Sequence, residues 1–369
     1  MTRIESFGRR LMLSVFPLVL VACTASPARH DFPKPLPPRE GDAPGGILKI
    51  HTLPVGAGNC QVVQCPSQNK MIVLDCGSKG KGRQGWDRAK VARYIHAMID
   101  GGTEVVVTVS HPDGDHYNYL PEVFRSVRVR ALYLGAQRDD YDDEFNAWVA
   151  NAERLGMSVS THRGFHASST PDPRLSCLRP GDLTADVAGR ILGVNAGVTS
   201  NDASMVVSMR YGNFQALFTG DMTGATEHAI RAAGLGTQLG STVVTGAHHG
   251  ADSLGSNSHA WAQATRPKLL LFSAGKRFHH PRCVSVDNYR EYVEKRWSAH
   301  LYHCGHDGAY WLRESTDAVL VTNDNGLIVV DGRSDGSFQA SWWTSGRLGR
   351  RGTWISAPAS ATSTSRSWP

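Results

Sequence analysis

Between residues 111 and 116 the chain reads His111-Pro112-Asp113-Gly114-Asp115-His116. Two imidazoles and two carboxylates within six positions suit a divalent ion such as Zn²⁺ or Mn²⁺. The stretch follows Val105-Val106-Val107-Thr108-Val109, a run of β-branched residues that reads as a buried strand. A strand that stops here sets four metal-capable side chains on the loop at its end. Three other expected strand ends carry similar chemistry. Asp75 closes Met71-Ile72-Val73-Leu74, Asp221 follows Phe214–Phe218 through Thr219-Gly220, and His248-His249-Gly250 follows Thr242-Val243-Val244. Strand ends on one edge of a sandwich can bring distant residues together on rigid supports.

The elements that must hold these loops can be read in order. Leu48–Leu53 is a strand, followed by the glycine-rich Gly56-Ala57-Gly58-Asn59. Gln61–Gln64 and Met71–Asp75 alternate across a polar turn and form a hairpin. Helical spacing marks residues 86–100, ending at Gly101-Gly102, and a second helix covers residues 141–155. A second hairpin joins Ser204–Arg210 to Phe214–Phe218. Further helices are expected from Gly224, over His259–Ala264 and over Val286–Trp297, and a last hairpin pairs Ala318–Thr322 with Leu327–Val330. The order of hairpin, helix and strand occurs twice. It predicts an α/β fold of two mixed sheets packed face to face with helices outside.

The 369 residues are 41% hydrophobic, enough for one large core, and carry a net charge of +6. A mild basic excess is compatible with a polyanionic substrate without establishing one. Arg3, Arg9 and Arg10 precede the apolar run Leu11–Ala22, which is too short to span a bilayer and reads as a targeting segment. Residues 24–45 contain six prolines and read as a tether; residues 46–340 are the expected domain and 341–369 a disordered tail. Beyond Cys23 six cysteines follow. Cys60 and Cys65 would lie about 16 Å apart on one extended strand and cannot pair. If Cys65 faces Met71 across the hairpin, Cys60 faces Cys76, and a bridge between those two is expected.

Leu20-Val21-Ala22-Cys23 resembles a bacterial lipobox, which implies a lipid on Cys23 and an envelope location, with Thr24 favouring the outer membrane. Gly8-Arg9-Arg10-Leu11 weakly resembles a twin-arginine signal. The strand ends together resemble the metallo-β-lactamase superfamily, whose signature is His-x-His-x-Asp-His; here Asp113 replaces the second His. The pattern is similar to the hydrolase domain of ComEC-type competence proteins. It covers Gly56–Asn59, His111–His116, Asn201-Asp202-Ala203-Ser204, Phe218-Thr219-Gly220-Asp221 and His248-His249-Gly250, within residues 47–335.

The resemblance implies an αββα sandwich and two divalent metal ions, zinc or manganese. It places His111, Asp113 and Asp221 on one ion, and Asp115, His116, Asp221 and His248 on the other, with His249 as the alternative to His248. The usual third His of the first position has no counterpart, since Asn201-Asp202 occupies that stretch. A hydroxide held between two such ions attacks a phosphate ester well. Asp115 could orient or deprotonate that water, and Asp75 could hold a ligand His in place. His280-Pro281 matches a His-Pro of the same pattern, which makes His280 a proton donor or clamp for a substrate oxygen.

His249 completes the catalytic set if His248 is the ligand. Lys276, Arg277 and His279 read as a solvated loop, and His300, His303, Cys304 and His306 form a further cluster without a matching motif. The expected substrate is a phosphodiester, DNA being one such polyanion. An ester, lactone or β-lactam is the second reading, and a non-catalytic scaffold that binds DNA or an envelope partner is the third.

Overall fold

A computed structural model describes residues 46–67, 69–80, 85–162, 167–178, 185–194, 199–344 and 353–357. The targeting segment, Cys23 and the proline-rich tether lie outside the described residues.

In chain order the first strands are β1 (Leu48–Thr52), β2 (Cys60–Gln64), β3 (Lys70–Cys76), β4 (Glu104–Val109), β5 (Val129–Leu134) and β6 (Ser158–Thr161). The next are β7 (Cys177–Leu178), β8 (Ala185–Gly193), β9 (Val206–Tyr211), β10 (Phe214–Phe218), β11 (Val243–Thr245) and β12 (Leu269–Phe272). The last are β13 (His300–His306), β14 (Ala309–Ser315), β15 (Val319–Val321), β16 (Leu327–Gly332), β17 (Phe338–Thr344) and β18 (Thr353–Ser356).

Among the described residues they form a nine-stranded sheet, ordered β18-β17-β16-β1-β2-β3-β4-β5-β6, and a seven-stranded sheet, β15-β12-β11-β10-β9-β8-β7. β13 and β14 pair separately. Both large sheets are mixed, and one continuous core contains Ile50, Ile72 and Val106 from the first and Val207, Met209 and Phe214 from the second. The molecule is the expected α/β sandwich of two mixed sheets.

Parallel strands are covered on both faces and therefore need unbroken apolar runs. β4 meets that requirement, since every residue from Val105 to Val109 is buried. β3 runs parallel to β4, and in the other sheet β10, β11 and β12 run parallel to one another. The strands that carry the His and Asp loops are thus parallel neighbours, and their C-terminal ends open to one side of each sheet.

Several elements differ from the sequence reading. Ala318–Thr322 and Leu327–Val330 do not form a hairpin: β15 pairs with β12 in the smaller sheet and β16 with β1 in the larger. The helix expected over Val286–Trp297 is only Cys283–Asp287, followed by turns. Val286, Tyr289, Val293 and Trp297 are still buried, so helical spacing is satisfied by an irregular segment. β17 runs from Phe338 into the span 341–369 read as a disordered tail and β18 lies inside it, so strand pairing continues past residue 340.

The hairpin bridge Cys60–Cys76 is present. Its register is not the expected one. Gln64, not Cys65, faces Met71, and a bulge between Cys60 and Gln61 brings Cys60 opposite Cys76. Cys65 instead bridges to Cys177 on β7, and Cys283 bridges to Cys304 on β13.

Candidate metal centre

The loops after β3, β4, β10 and β11 meet where the two sheets open. Local packing forces the meeting. A side chain at Gly77 would strike the Gly114 backbone, its Cβ only 2.6 Å from Gly114 O, so only glycine lets the loops after β3 and β4 touch. Gly220 has φ +51°, and a Cβ there would lie 2.6 Å from Ser110 Cβ. Glycine at both places lets Asp221 approach the His111–His116 loop. The second sheet is tied to the first by Ser273 Oγ, which donates to Gly58 O at 2.8 Å.

Each imidazole at the centre is oriented from behind. His116 Nδ1 donates to Asp75 Oδ2 at 2.8 Å and His249 Nδ1 donates to Ser273 O at 2.8 Å. Asp75 also accepts from Ser110 N at 2.6 Å, Ser110 Oγ at 2.8 Å and Asn59 Nδ2 at 3.0 Å. With its proton given to Asp75, Ser110 Oγ accepts from His111 Nδ1 at 3.1 Å. In all three imidazoles Nε2 is therefore the bare, basic nitrogen, and all three point inward. Fixing the tautomer through the outer nitrogen is the usual support of a metal-ligating His. The glycine-rich loop before β2 serves this support through Asn59.

His116 Nε2 lies 3.1 Å from Asp221 Oδ1 and 3.3 Å from His249 Nε2. His249 Nε2 in turn lies 3.5 Å from Asp115 Oδ2 and 3.5 Å from Asp221 Oδ2. Four ligands about 2.0–2.1 Å from a tetrahedral ion lie about 3.3 Å from one another. The four contacts just given among Asp115, His116, Asp221 and His249 lie near that spacing. Beside them is a looser group. His111 Nε2 lies 3.9 Å from Asp221 Oδ2 and 3.8 Å from Asp113 Oδ2, and His248 Nε2 lies 3.7 Å from Asp221 Oδ2.

His111 Nε2 is buried and has no hydrogen-bond partner. A bare imidazole nitrogen left this way is costly unless something fills the gap. Compact sets of donor atoms arise for His111, His116 and Asp221, and for Asp115, His116 and His249. The donors are nitrogen and oxygen only, as zinc or manganese accepts. The side chains fit metal ions.

The electrostatics agree. Burial opposes ionisation of Asp221 and Asp115, yet the imidazoles around them hold both carboxyls below their usual range. Burial likewise opposes charge on His116, but Asp221 and Asp75 push its pKa well above the ordinary value. His249 is raised as well, with burial outweighed by Asp221 and Asp115. A cluster that depresses carboxyls and raises imidazoles is short of positive charge. His248 differs: burial and the neighbouring imidazoles lower it.

His248 and His249 occupy one strained turn, with φ +51° and +55°. Such backbone persists only where its surroundings hold it. Asn257, fully buried, provides the hold: its Oδ1 accepts from Ala247 N at 2.9 Å, and its Nδ2 donates to Ala247 O and Ala251 O at 2.8 Å each. Replacing Asn257 with alanine is expected to cost roughly 3 kcal/mol from three lost hydrogen bonds. Thermal denaturation and retained zinc after dialysis measure this; a variant that keeps both would show that the clamp is idle.

The remaining expected residues are placed as follows. Asn201 Nδ2 lies 3.3 Å from His248 Nε2, and Asp202 is taken up by Thr199 and Thr223. Ser204 Oγ accepts from Asp221 N at 3.0 Å. His280 lines the pocket over the centre, where burial and then His249 and His248 push its pKa down to about 3. His280 is therefore a neutral N–H donor. Among the other histidines, His300 meets the carbonyls of Ser298 and Val319, His303 pairs with Asp324 at 2.7 Å, His306 is exposed and Cys304 is bridged. They do not form a metal cluster.

Lys79, Asn257, Ser273 and Arg282 were not singled out from sequence. Lys79 Nζ lies 2.7 Å from Asp115 Oδ1 and 3.2 Å from Asp113 Oδ2. The pocket has a volume of about 370 Å³ and is also lined by Arg282 and Phe278.

Two mixed sheets with a His/Asp cluster at their facing strand ends define an α/β sandwich built to hold divalent ions. Residues 53–260, more than half of the chain, match the family model of the metallo-β-lactamase superfamily. The chain belongs to that superfamily, whose members are commonly hydrolases. No curated protein matches its sequence. Among solved structures it is similar to CmlA, a diiron β-hydroxylase from Streptomyces venezuelae, with 10% identity, 68% of this chain and 51% of that chain covered, and a TM-score of 0.41. It is also similar to a protein from Thermotoga maritima described as a Zn-dependent hydrolase of the superfamily, with 12% identity, 74% and 98% covered, and a TM-score of 0.28. The chain spans about half the length of CmlA.

Proposed function

We propose that the protein is a metal-dependent phosphodiesterase of the ComEC-like branch, held in the bacterial envelope by a lipid on Cys23. Two compact donor groups, His111 with His116 and Asp221, and Asp115 with His116 and His249, support the reading of two metal positions. Asp115, His116, Asp221 and His249 would make the tighter one. His111, Asp113 and Asp221 would make the other, with His248 alongside. His248 and His249 would thus hold different ions, with Asp221 shared between them.

When bound, two such ions supply an activated water and positive charge for a phosphoryl group. The chain's own residues do the rest. Asp115, held ionised by the imidazoles around it, offers a carboxylate oxygen that can orient an attacking water. His280, neutral, donates its N–H to a substrate oxygen. Lys79, beside Asp113 and Asp115, and Arg282, beside Asp252, are the cations of the pocket wall that an anionic ester would meet.

The observation that carries the substrate class is this pairing of a carboxylate-rich floor with cationic walls in one pocket. A neutral ester or lactone needs no cationic wall; a β-lactam carries a carboxylate of its own, so the assay separates it from a phosphate ester. The test is a panel of bis-nitrophenyl phosphate, single-stranded DNA, a phosphocholine ester and nitrocefin, with zinc and with manganese. Turnover of a phosphate substrate that stops with chelator is expected; turnover of nitrocefin alone would replace this reading with the second.

A further inference from the structure

Asp113 stands where the superfamily signature has a neutral imidazole. A carboxylate there adds a negative charge to a floor that already contains Asp115 and Asp221. That extra charge has a partner. Lys79 Nζ lies 3.2 Å from Asp113 Oδ2 and 2.7 Å from Asp115 Oδ1, so one ammonium spans a carboxylate from each metal position.

The two contacts are not equivalent. Asp115 uses separate oxygens: Oδ1 faces Lys79, and Oδ2 faces His249 Nε2 at 3.5 Å. Asp113 uses one: its Oδ2 meets Lys79 and is also the oxygen 3.8 Å from His111 Nε2. A dication on Asp113 Oδ2 would share that atom with an ammonium, and like charges a few ångströms apart repel strongly in a half-buried site.

The backbone of Lys79 is fixed. Its N–H donates to Ala57 O at 2.7 Å, its carbonyl accepts from Arg277, and the turn follows the Cys60–Cys76 bridge. Its side chain is 41% exposed and has the open pocket to move into. An isolated surface ion pair contributes little, but Asp115 is only 6% exposed and the ammonium serves two carboxylates together.

We propose that Lys79 is the counter-cation of the Asp113 metal position. It competes with the ion for Asp113 Oδ2 and makes that position the weaker, more exchangeable one. Through the outer oxygen of Asp115 it leaves the other position intact. This inference rests on the two-position reading of the site, not on the identity of the substrate.

The test is a zinc titration of the full metal-free chain by calorimetry, without substrate, with bound metal counted by atomic emission. Wild type is expected to show two classes of site. Lys79→Met and Lys79→Gln should tighten the weaker class at least tenfold and move the tighter class less than threefold. Lys79→Arg keeps the charge and should keep the wild-type separation.

A single class in wild type, an unchanged weaker class in both neutral variants, or an equal tightening in Lys79→Arg would overturn the proposal. Two neutral variants guard against one that fails to fold, which melting in chelator reveals. Two bound ions without phosphate-ester turnover would sink the functional reading and leave this one standing.

Discussion

His249→Ala is expected to strip the tightly held ion from the protein and to lower turnover of a phosphodiester by on the order of 10³-fold, because charge stabilisation of several kcal/mol goes with the ion. His249 Nε2 is within 3.5 Å of Asp115, His116 and Asp221, and it is aimed there by Ser273. His248→Ala should behave differently. His248 Nε2 lies 3.7 Å from Asp221 Oδ2 and belongs to neither compact donor set, so its loss should empty the looser position and leave the tighter ion in place. Metal content after exhaustive dialysis separates the two variants. If His248→Ala lost the tight ion while His249→Ala kept it, the assignment of the two imidazoles would have to be exchanged.

The second large effect is expected at Asp75, which is not aimed at the ions. Its carboxylate, 2% exposed, accepts four hydrogen bonds, from Ser110 N, Ser110 Oγ, His116 Nδ1 and Asn59 Nδ2. Asp75→Ala leaves those donors buried and unpaired, and breaking a buried charged pair in this way costs roughly 3–5 kcal/mol. The melting temperature should fall by on the order of 10 °C. Metal affinity should fall as well, by roughly 10–100-fold, since His116 loses its orienting partner.

Asp75→Asn separates the two consequences. The amide nearly preserves the volume, so the loss of stability should be smaller. An amide N–H facing His116 Nδ1 would force the proton onto Nε2, and that imidazole could no longer ligate. Asparagine should therefore be as poor as alanine at holding metal and better at folding. An Asp75→Asn protein with wild-type zinc affinity would contradict the role given to this carboxylate.

The candidate site was legible where its residues are of rare types and close in sequence. His111, Asp113, Asp115 and His116 share one loop, and Asp221 and the His248-His249 pair each end a run of buried β-branched or apolar residues. The choice between His248 and His249 was not legible. It depends on the left-handed turn, which brings both imidazoles to Asp221 Oδ2 but only His249 to His116 and Asp115 as well. Lys79 and Asn257 gave no signal, because one acts at the tip of a flexible side chain and the other only on main-chain groups.

The fold followed the same division. Apolar runs announced β4, β10 and β11, but alternation could not say which sheet a strand joins. β15 and the Leu327–Val330 stretch of β16 are both buried apolar runs separated by a few residues, and they pair in opposite sheets. β13 and β14 were missed because much of that hairpin is exposed, with Leu301 and Trp311 at least half so, and shows no inward face in sequence. The Cys60–Cys76 bridge was expected from a register that is off by one residue, and a bulge brought the two sulfurs together nevertheless.

The Cys65–Cys177 bridge has a consequence for how the molecule comes apart. Its two cysteines are 112 residues apart, and the span between them contains the whole His111–His116 loop with β3 through β6. A protease that cuts once anywhere in that span opens the chain without releasing a fragment. The two pieces would still migrate as one on a denaturing gel and separate only when a reductant is added. The ligands contributed by each half would stay on one covalent body, and a nicked molecule could still refold around its ions.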